Sequence, residues 1–224
     1  MEISNLDRRY FEKFRHQTSE VPGINRYMAS LFDTLQAGAY RANIVPRTKK
    51  SRAWFQARVR ELGNVSRAKI MADDQLKVRT EPKIGDMCMY VYDPKLKAEL
   101  PYYDKFPMSI MVQPAPGGFH ALNLHYLSPG VRALFLDELM GLAPAKLVDT
   151  TRLTRLRYNL LKGASKYKEF KPCFKHYLMN HVKSKINRVP MTEWEIAVFL
   201  PVDEFAKVSR DTVWRYSRKS IYGK

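Results

Sequence analysis

The side chains of this sequence that could do chemistry are predominantly cationic. Lysine and arginine together number 39 against 22 aspartate and glutamate residues, which gives a net charge of +17. Residues 41–70 contain nine basic residues and one acidic residue, residues 150–190 eleven and one, and residues 207–224 six and one. Residues 85–149 are slightly acidic. Clustered positive charge suits a polyanion such as nucleic acid, because each phosphate that is neutralised releases counterions.

Three basic patches therefore supply the candidate contacts to nucleic acid. Tyr158, Tyr167 and Tyr177 are interleaved with the second patch and could stack on bases, although core packing is the alternative for each of them. The competing interpretation of the patches is that they are solvated helix faces. No recognition helix is evident, so we expect mostly phosphate contacts with little sequence specificity. The predicted nucleic-acid-binding residues are Arg41, Arg47, Lys49, Lys50, Arg52, Arg58 and Arg60 in the first patch, Arg155, Lys162, Lys166, Lys168, Lys175, Lys183, Lys185 and Arg188 in the second, and Arg215, Arg218 and Lys219 in the third.

Histidines give no sign of a metal site. His120 and His125 are five residues apart on a predicted strand, so their side chains point to opposite faces. His176 and His181 are also five apart, which on a predicted helix separates them by about 140°. The sequence contains no HExxH motif, no Cys/His cluster and no phosphate-binding loop, so we predict no metal ion, nucleotide or other cofactor.

Acidic residues leave an enzymatic alternative open. A metal-dependent nuclease needs carboxylates that converge on a divalent ion. The candidates near the predicted sheet are Asp93, Asp104, Asp137 and Glu138, while the stretch 193–195 lacks the lysine that such sites often add. We assign no catalytic residue, and a nuclease remains the second alternative to DNA binding.

The remaining composition describes an ordinary globular protein. Hydrophobic residues make up 45% of the 224 residues, which is enough for a packed core of one large or two small domains. Cys88 and Cys173 have no CxxC neighbour, so we predict free, partly buried thiols, with a disulfide or a catalytic thiol as alternatives. The longest apolar runs, such as Met108–Val112, are too short to span a bilayer, and no secretory signal is evident.

The elements that must position these residues fall into three predicted segments. Residues 1–80 form a basic helical segment, with helices over about 7–14, 24–36 and 51–62, the second closed by Gly38 and the third by Gly63. In residues 83–127 the apolar period changes to two, which predicts strands near 87–92, 106–113 and 119–127. Strands joined in this way favour a small SH3-like barrel or sheet.

Residues 128–224 are predicted as a basic helical region packed on that core. Helices are expected over about 131–142, 150–163, 172–189, 192–200 and 210–221, with Pro129 at the first position of the first one. The expected fold class is therefore α+β, with a small SH3-like β-barrel or sheet in the middle, N-terminal helices before it and a C-terminal helical region after it.

Four stretches resemble virion-associated proteins of contractile-tailed, T4-like bacteriophages. The resemblance covers about residues 84–218 and is most specific in PYYDKFP and GFHALNLHYL. It implies a protein of the virion or host cytoplasm, of the DNA end protector or head-completion type, and it carries over no site residues. The stretches are YDPKLKAELPYYDKFPMSIMV at 92–112, GGFHALNLHYLSPGVRALFLDELM at 117–140, LKGASKYKEFKPCFKHYLMNHVKSKI at 161–186 and EWEIAVFLPVDEF at 193–205.

Charge and resemblance together predict a non-enzymatic, sequence-tolerant nucleic-acid-binding protein of a phage particle that binds DNA ends. Its expected partners are double-stranded DNA, other phage structural proteins, or both, with no membrane and no cofactor. The first alternative is a structural assembly protein of a phage neck or baseplate, whose basic flanks would contact acidic neighbours.

Overall fold

The computed structural model describes residues 30–46, 48–73, 76–79, 81–141, 159, 161–163 and 168–223. Its N-terminal helices are α1 (Leu31–Arg41), α2 (Lys49–Glu61) and α3 (Arg67–Met71). Each begins where a hydroxyl group caps the first turn: the side chains of Ser30, Thr48 and Ser66 accept hydrogen bonds from backbone N–H groups. The predicted helix over 7–14 lies outside the described residues.

Gly38 does not close α1, so that prediction is wrong. The helix continues to Arg41, and the N–H of Ala42 donates to the carbonyl oxygen of Gly38. A Cβ atom on Gly38 would lie 3.1 Å from the ring of Trp54 on α2. Glycine therefore allows α1 and α2 to pack closely. Gly63, in contrast, ends α2 as predicted, with a positive φ of 62° just after the last turn.

The centre of the fold is an open, antiparallel, six-stranded sheet. Its strands occur in the spatial order β1-β7-β2-β4-β5-β6. Within the described residues, β1 and β6 lie at opposite ends and do not pair, so the predicted SH3-like barrel is not confirmed, whereas the mixed α+β class is. A separate two-stranded ribbon joins β3 to β8. The strands are β1 (Lys77–Arg79), β2 (Met87–Met89), β3 (Tyr103–Asp104), β4 (Met108–Ala115), β5 (Gly118–Asn123), β6 (Phe174–Leu178), β7 (Ile186–Val189) and β8 (Phe205–Ala206).

The helix predicted over 172–189 is wrong. This stretch contains the end of a 3-10 helix (Lys168–Cys173), then β6, a 3-10 turn (Met179–His181) and β7. Strand β6 extends the sheet beside β5, and β7 lies between β1 and β2. The apolar residues of the stretch have helical spacing, yet its backbone pairs with strands that are distant in sequence.

The C-terminal helices are α4 (Pro129–Gly141), α5 (Trp194–Ala197) and α6 (Arg210–Tyr222). Pro129 occupies the first position of α4, as predicted, and Ser209 caps α6. The helix predicted over 192–200 is shorter, because α5 follows a 3-10 turn at Met191–Glu193. Most of the helix predicted over 150–163 lies outside the described residues. No helix within the described residues is long and apolar enough to cross a bilayer.

One hydrophobic cluster joins the three predicted segments. It includes Phe32 of α1, Phe55 of α2, Ile110 of β4 and Val213 of α6, all fully or almost fully buried. A second cluster, built around Tyr90 and Tyr177, covers the opposite face of the sheet. The last helix therefore packs into the same core as the first described helix.

Both cysteines are buried thiols outside any disulfide, which confirms the prediction of thiols over a disulfide. Cys88 belongs to the second hydrophobic cluster, and Cys173 belongs to the first. Burial raises the pKa of the Cys173 thiol to about 12, which keeps it protonated at neutral pH.

Replacing Gly118 with alanine is expected to destabilise the protein, because the new Cβ atom would lie 1.8 Å from the carbonyl oxygen of Tyr177 on the paired strand. We expect the free energy of unfolding to fall by about 1–3 kcal/mol. Urea unfolding followed by tryptophan fluorescence measures the change. Gly130→Ala is the matched control, since nothing lies within 4 Å of its Cβ position. Equal stability of the two variants would contradict the close approach of β5 and β6.

Candidate nucleic-acid interface

The first predicted basic patch lies mainly on α2. Lys49, Arg52, Gln56 and Arg60 are spaced three or four residues apart, which places them on one face of the helix. Lys50 and Arg58 are also exposed, and Arg58 forms an exposed ion pair with Glu61 at 2.6 Å. Arg41 is exposed in the last turn of α1, and Arg47 lies outside the described residues.

The second predicted patch is not a continuous helical face. Lys183 and Lys185 are exposed in the connection between β6 and β7. Arg188 lies on β7, where its Nε atom donates to an Asp86 carboxylate oxygen at 2.7 Å. Lys162 is exposed, Lys168 begins a 3-10 helix, and Arg155 and Lys166 lie outside the described residues.

Lys175 is half-buried on a strand, in contrast to its predicted place on a phosphate-facing helix surface. It lies on β6, and its ammonium nitrogen is 4.2 Å from the centre of the Tyr126 ring. Burial lowers the pKa of Lys175, because a low-dielectric environment disfavours the charged form. The cation is therefore held by an aromatic face.

The third predicted patch is exposed along α6. Arg215, Arg218 and Lys219 all face solvent, and the Arg215 guanidinium lies 5.7 Å from the centre of the Tyr216 ring. Tyr177 packs in the second hydrophobic cluster, which is the core alternative considered for it, and Tyr158 and Tyr167 lie outside the described residues.

Arg60 of the first patch and the first turns of α6 meet at one cavity of about 390 Å³, called here the arginine cavity, whose lining does not include Arg215, Arg218 or Lys219 of the third patch. Helix α2 contributes Arg60, and α6 contributes Arg210 and Trp214. Arg60 and Arg210 are 150 residues apart in sequence. The complete lining is Gln56, Val59, Arg60, Gly63, Pro129, Gly130, Arg132, Phe199, Leu200, Pro201, Asp203, Arg210 and Trp214.

Arg132 forms the inner wall of the arginine cavity and is fully buried. Its guanidinium nitrogens donate to four carbonyl oxygens, with the shortest bonds to Leu124 and Leu127 at 2.8 Å. The Asp203 carboxylate lies 3.9 Å away. Burial lowers the pKa of Arg132 to about 10, so the side chain remains a cation at neutral pH.

Trp214 is fixed in orientation at the cavity wall. Its indole N–H donates to the carbonyl oxygen of His125 at 2.9 Å. The guanidinium carbons of Arg132 and Arg210 lie 5.7 Å and 5.9 Å from its ring centre, within the range of cation–π attraction. Sequence reasoning missed these three residues, although the i, i+4 spacing of Arg210 and Trp214 on a predicted helix was a usable signal.

A buried polar network centred on Asp104 lies behind the cavity. One carboxylate oxygen accepts from His125 Nδ1 at 2.7 Å and from the Asn123 amide at 3.0 Å. The other oxygen accepts from the backbone N–H groups of Phe106 and Glu204. Burial raises the pKa of Asp104, but the interactions with His125, Asn123 and the Phe106 N–H outweigh it, and the pKa lies below its usual value.

His120 lies on a strand, β5, as predicted, whereas His125, His176 and His181 occupy different elements from those predicted. His125 follows β5 in a 3-10 helix, so it is not on the strand that carries His120. His176 lies on β6, directly opposite His120, and the two rings are 5.0 Å apart. His181 ends a 3-10 turn. Within the described residues, no group of three or more His, Cys, Asp or Glu side chains comes together to hold a metal ion.

The carboxylates considered for a nuclease lie in different environments. Asp93 is in an exposed ion pair with Lys97 at 2.9 Å, and Asp104 is buried in the network described above. Glu138 lies on α4. Glu193 and Glu195 are buried and accept hydrogen bonds from Gln36 and Ser51 respectively.

The fold and the cavity define a basic α+β protein with an open antiparallel sheet and an arginine-lined cleft between its helices. The family model described as phage T4 terminal DNA protecting protein matches residues 1–224, and the chain therefore belongs to this family. The resemblance to T4-like end protectors is thus confirmed, and it extends over residues 1–80. Comparisons with curated proteins and with solved structures find no match.

Asp104→Asn is expected to lower the free energy of unfolding by about 3–5 kcal/mol at neutral pH, because it removes one partner of a buried pair. The folded-state pKa of Asp104 is depressed, so its contribution is complete above the unfolded aspartate pKa and is lost as pH falls through the folded value. Urea unfolding at several pH values should therefore show a shallower acid-side loss of stability in the variant.

The exposed Asp93→Asn change is the matched control, and we expect it to alter stability little. Wild-type stability and acid dependence in the Asp104→Asn variant would contradict this role of the network.

Proposed function

We propose that this protein binds the ends of double-stranded DNA without catalysing a reaction and with little preference for base sequence. The observation that carries the proposal is the meeting of α2 and α6 at the arginine cavity, where Arg60 and Arg210 bring cationic groups from two distant parts of the chain together. Membership in a family described as terminal DNA protecting proteins supports the same function.

The basic side chains beside the cavity, which are exposed except for the half-buried Arg52, suit a phosphate backbone. Lys49 and Arg52 continue the α2 face that carries Arg60, and Arg218 lies one turn beyond Trp214 on α6. Long, exposed basic side chains contact phosphates without reading base edges. Binding of this kind is sequence-tolerant and strongly dependent on salt.

Protection follows from occupancy of the end. An exonuclease must reach the terminal nucleotide, and a protein bound there excludes it without any bond being broken. The proposal therefore needs no catalytic group, and the polar residues behind the cavity, Asp104 and His125, serve the fold by holding each other.

Fluorescence anisotropy with a labelled blunt duplex tests the proposal. Unlabelled competitors of equal length and sequence are a linear duplex and a covalently closed dumbbell without ends. We expect the linear duplex to compete more strongly, and log affinity to fall linearly with log salt by about 0.9 per phosphate contacted. The same mixtures with Mg²⁺, analysed on a denaturing gel, should contain intact DNA.

Three results would contradict parts of this proposal. Equal competition by the dumbbell would exclude end recognition. Binding weaker than about 10⁻⁴ M at physiological salt would favour the structural assembly alternative, since ordinary non-specific DNA binding is at least that strong. Shortened DNA that appears only with Mg²⁺ would favour the nuclease.

A further inference from the structure

We infer that the arginine cavity binds the phosphate monoester at a DNA terminus, with Arg60 and Arg210 as its direct ligands. The inference rests on the proposed function, because it specifies which chemical group of a DNA end is recognised. It assigns recognition of the terminal phosphate to the arginine cavity, while the exposed basic surface contacts the internal phosphates.

The charges of the cavity lining match a dianion. The four charged lining residues are Arg60, Arg132, Arg210 and Asp203, and Arg132 and Asp203 offset each other at 3.9 Å. Within the described residues, the side chains of Arg60 and Arg210 have no hydrogen bond or ion pair, so two positive charges remain. A phosphate monoester carries between about −1.5 and −2 at pH 7, whereas each internal phosphate of a duplex carries one negative charge.

The size of the cavity favours one terminal group over a length of duplex. Its volume of about 390 Å³ is near the lower end of the range of about 300–1,000 Å³ that is usual for small-molecule sites. Val59, Phe199 and Leu200 give it an apolar lining that suits the carbon atoms of a sugar. Internal phosphates lie along the outside of a duplex and suit the open basic surface instead.

Two helix N-termini add backbone donors at the same place. Helices α4 and α6 both have 13 residues, and their first turns contribute the N–H-bearing residues Gly130 and Arg210 to the lining, beside Pro129, which has no N–H to donate. First-turn N–H groups lack partners within a helix, and the helix dipole favours an anion there. Because a Cβ atom on Gly130 would meet nothing within 4 Å, this side of the cavity is open to a ligand.

Arg210 is positioned before any ligand arrives. Its guanidinium carbon lies 5.9 Å from the ring centre of Trp214, and the Trp214 indole is fixed by its hydrogen bond to His125. A cation held in place loses less conformational entropy on binding than a free side chain. Trp214 is therefore a positioning residue for the phosphate ligand Arg210.

The test compares duplexes that differ only in their terminal groups. Blunt duplexes with a 5′-phosphate, with a 3′-phosphate, or with hydroxyl groups at all termini are titrated by fluorescence anisotropy beside the dumbbell. We expect one of the phosphorylated duplexes to bind about ten- to hundredfold more tightly than the hydroxyl-terminated duplex, as befits charge-assisted hydrogen bonds. The two phosphorylated probes identify which strand terminus enters the cavity.

Substitutions of residues that line the arginine cavity test whether the cavity causes the preference for phosphate ends. Arg60→Gln and Arg210→Gln are each expected to bring the ratio of phosphate-end to hydroxyl-end affinity close to one. Lys95→Gln removes the same charge from an exposed residue outside the cavity and should keep the wild-type ratio. Gly130→Glu adds an anion at the cavity wall, where the helix N-terminus tolerates it, and should also abolish the ratio. Thermal unfolding confirms that each variant is folded.

The outcomes separate this inference from the proposed function. Equal affinity for phosphate and hydroxyl ends, with the linear duplex still preferred over the dumbbell, would overturn the terminal-phosphate site and leave end binding intact. An unchanged ratio in both arginine variants would overturn the assignment to this cavity. Equal affinity for linear and dumbbell DNA would overturn end binding, and the cavity assignment with it.

Discussion

The buried guanidinium of Arg132 is the interaction on which this architecture depends. A charged group that leaves water without partners costs several kcal/mol, so its surroundings must supply acceptors. Arg132 finds them in the carbonyl groups of Leu124, Leu127, His125 and Val198. These acceptors follow β5 on one side and end α5 on the other. One side chain therefore joins the sheet, the start of α4 and the segment that lines the cavity.

His125 connects the hydrophobic interior to the arginine cavity. Its ring Nδ1 donates a hydrogen bond to the Asp104 carboxylate, while its carbonyl oxygen accepts hydrogen bonds from Arg132 and Trp214. The polar network behind the sheet thus sets the position of the groups that face solvent. A cavity supported in this way can present cations at fixed positions, whereas lysines on an exposed helix sample many rotamers.

Sequence patterns predicted those elements whose signals are local. The apolar period and the end signal of α2, Pro129 at the start of α4 and the alternation in β5 all lie within short windows. The stretch 172–189 was mistaken for a helix because its apolar residues have helical spacing, while its strand partners in β5, β1 and β2 are distant in sequence. Local periodicity contains no record of such pairings.

Only part of the candidate site is predictable from the sequence, because local patterns do not record which distant segments pack together. Clustered charge identifies the basic residues of α2 and, on α6, Arg215, Arg218 and Lys219, but it misses Arg210, because the cavity between the helices requires knowledge of which helices pack together. Arg132 stands alone among apolar residues, so no patch included it. Lys175 was grouped with its basic neighbours, although on β6 its side chain reaches the ring of Tyr126.

The position of β7 in the sheet has a consequence for synthesis of the chain. Strand β7 lies between β1 and β2, although Val78 of β1 is translated 109 residues before its partner Asn187 on β7. At roughly 5–20 residues per second, the edges of β1 and β2 await that strand for about 5–20 s. We therefore expect the nascent chain to complete its sheet only near the end of translation, with exposed strand edges that a chaperone can bind.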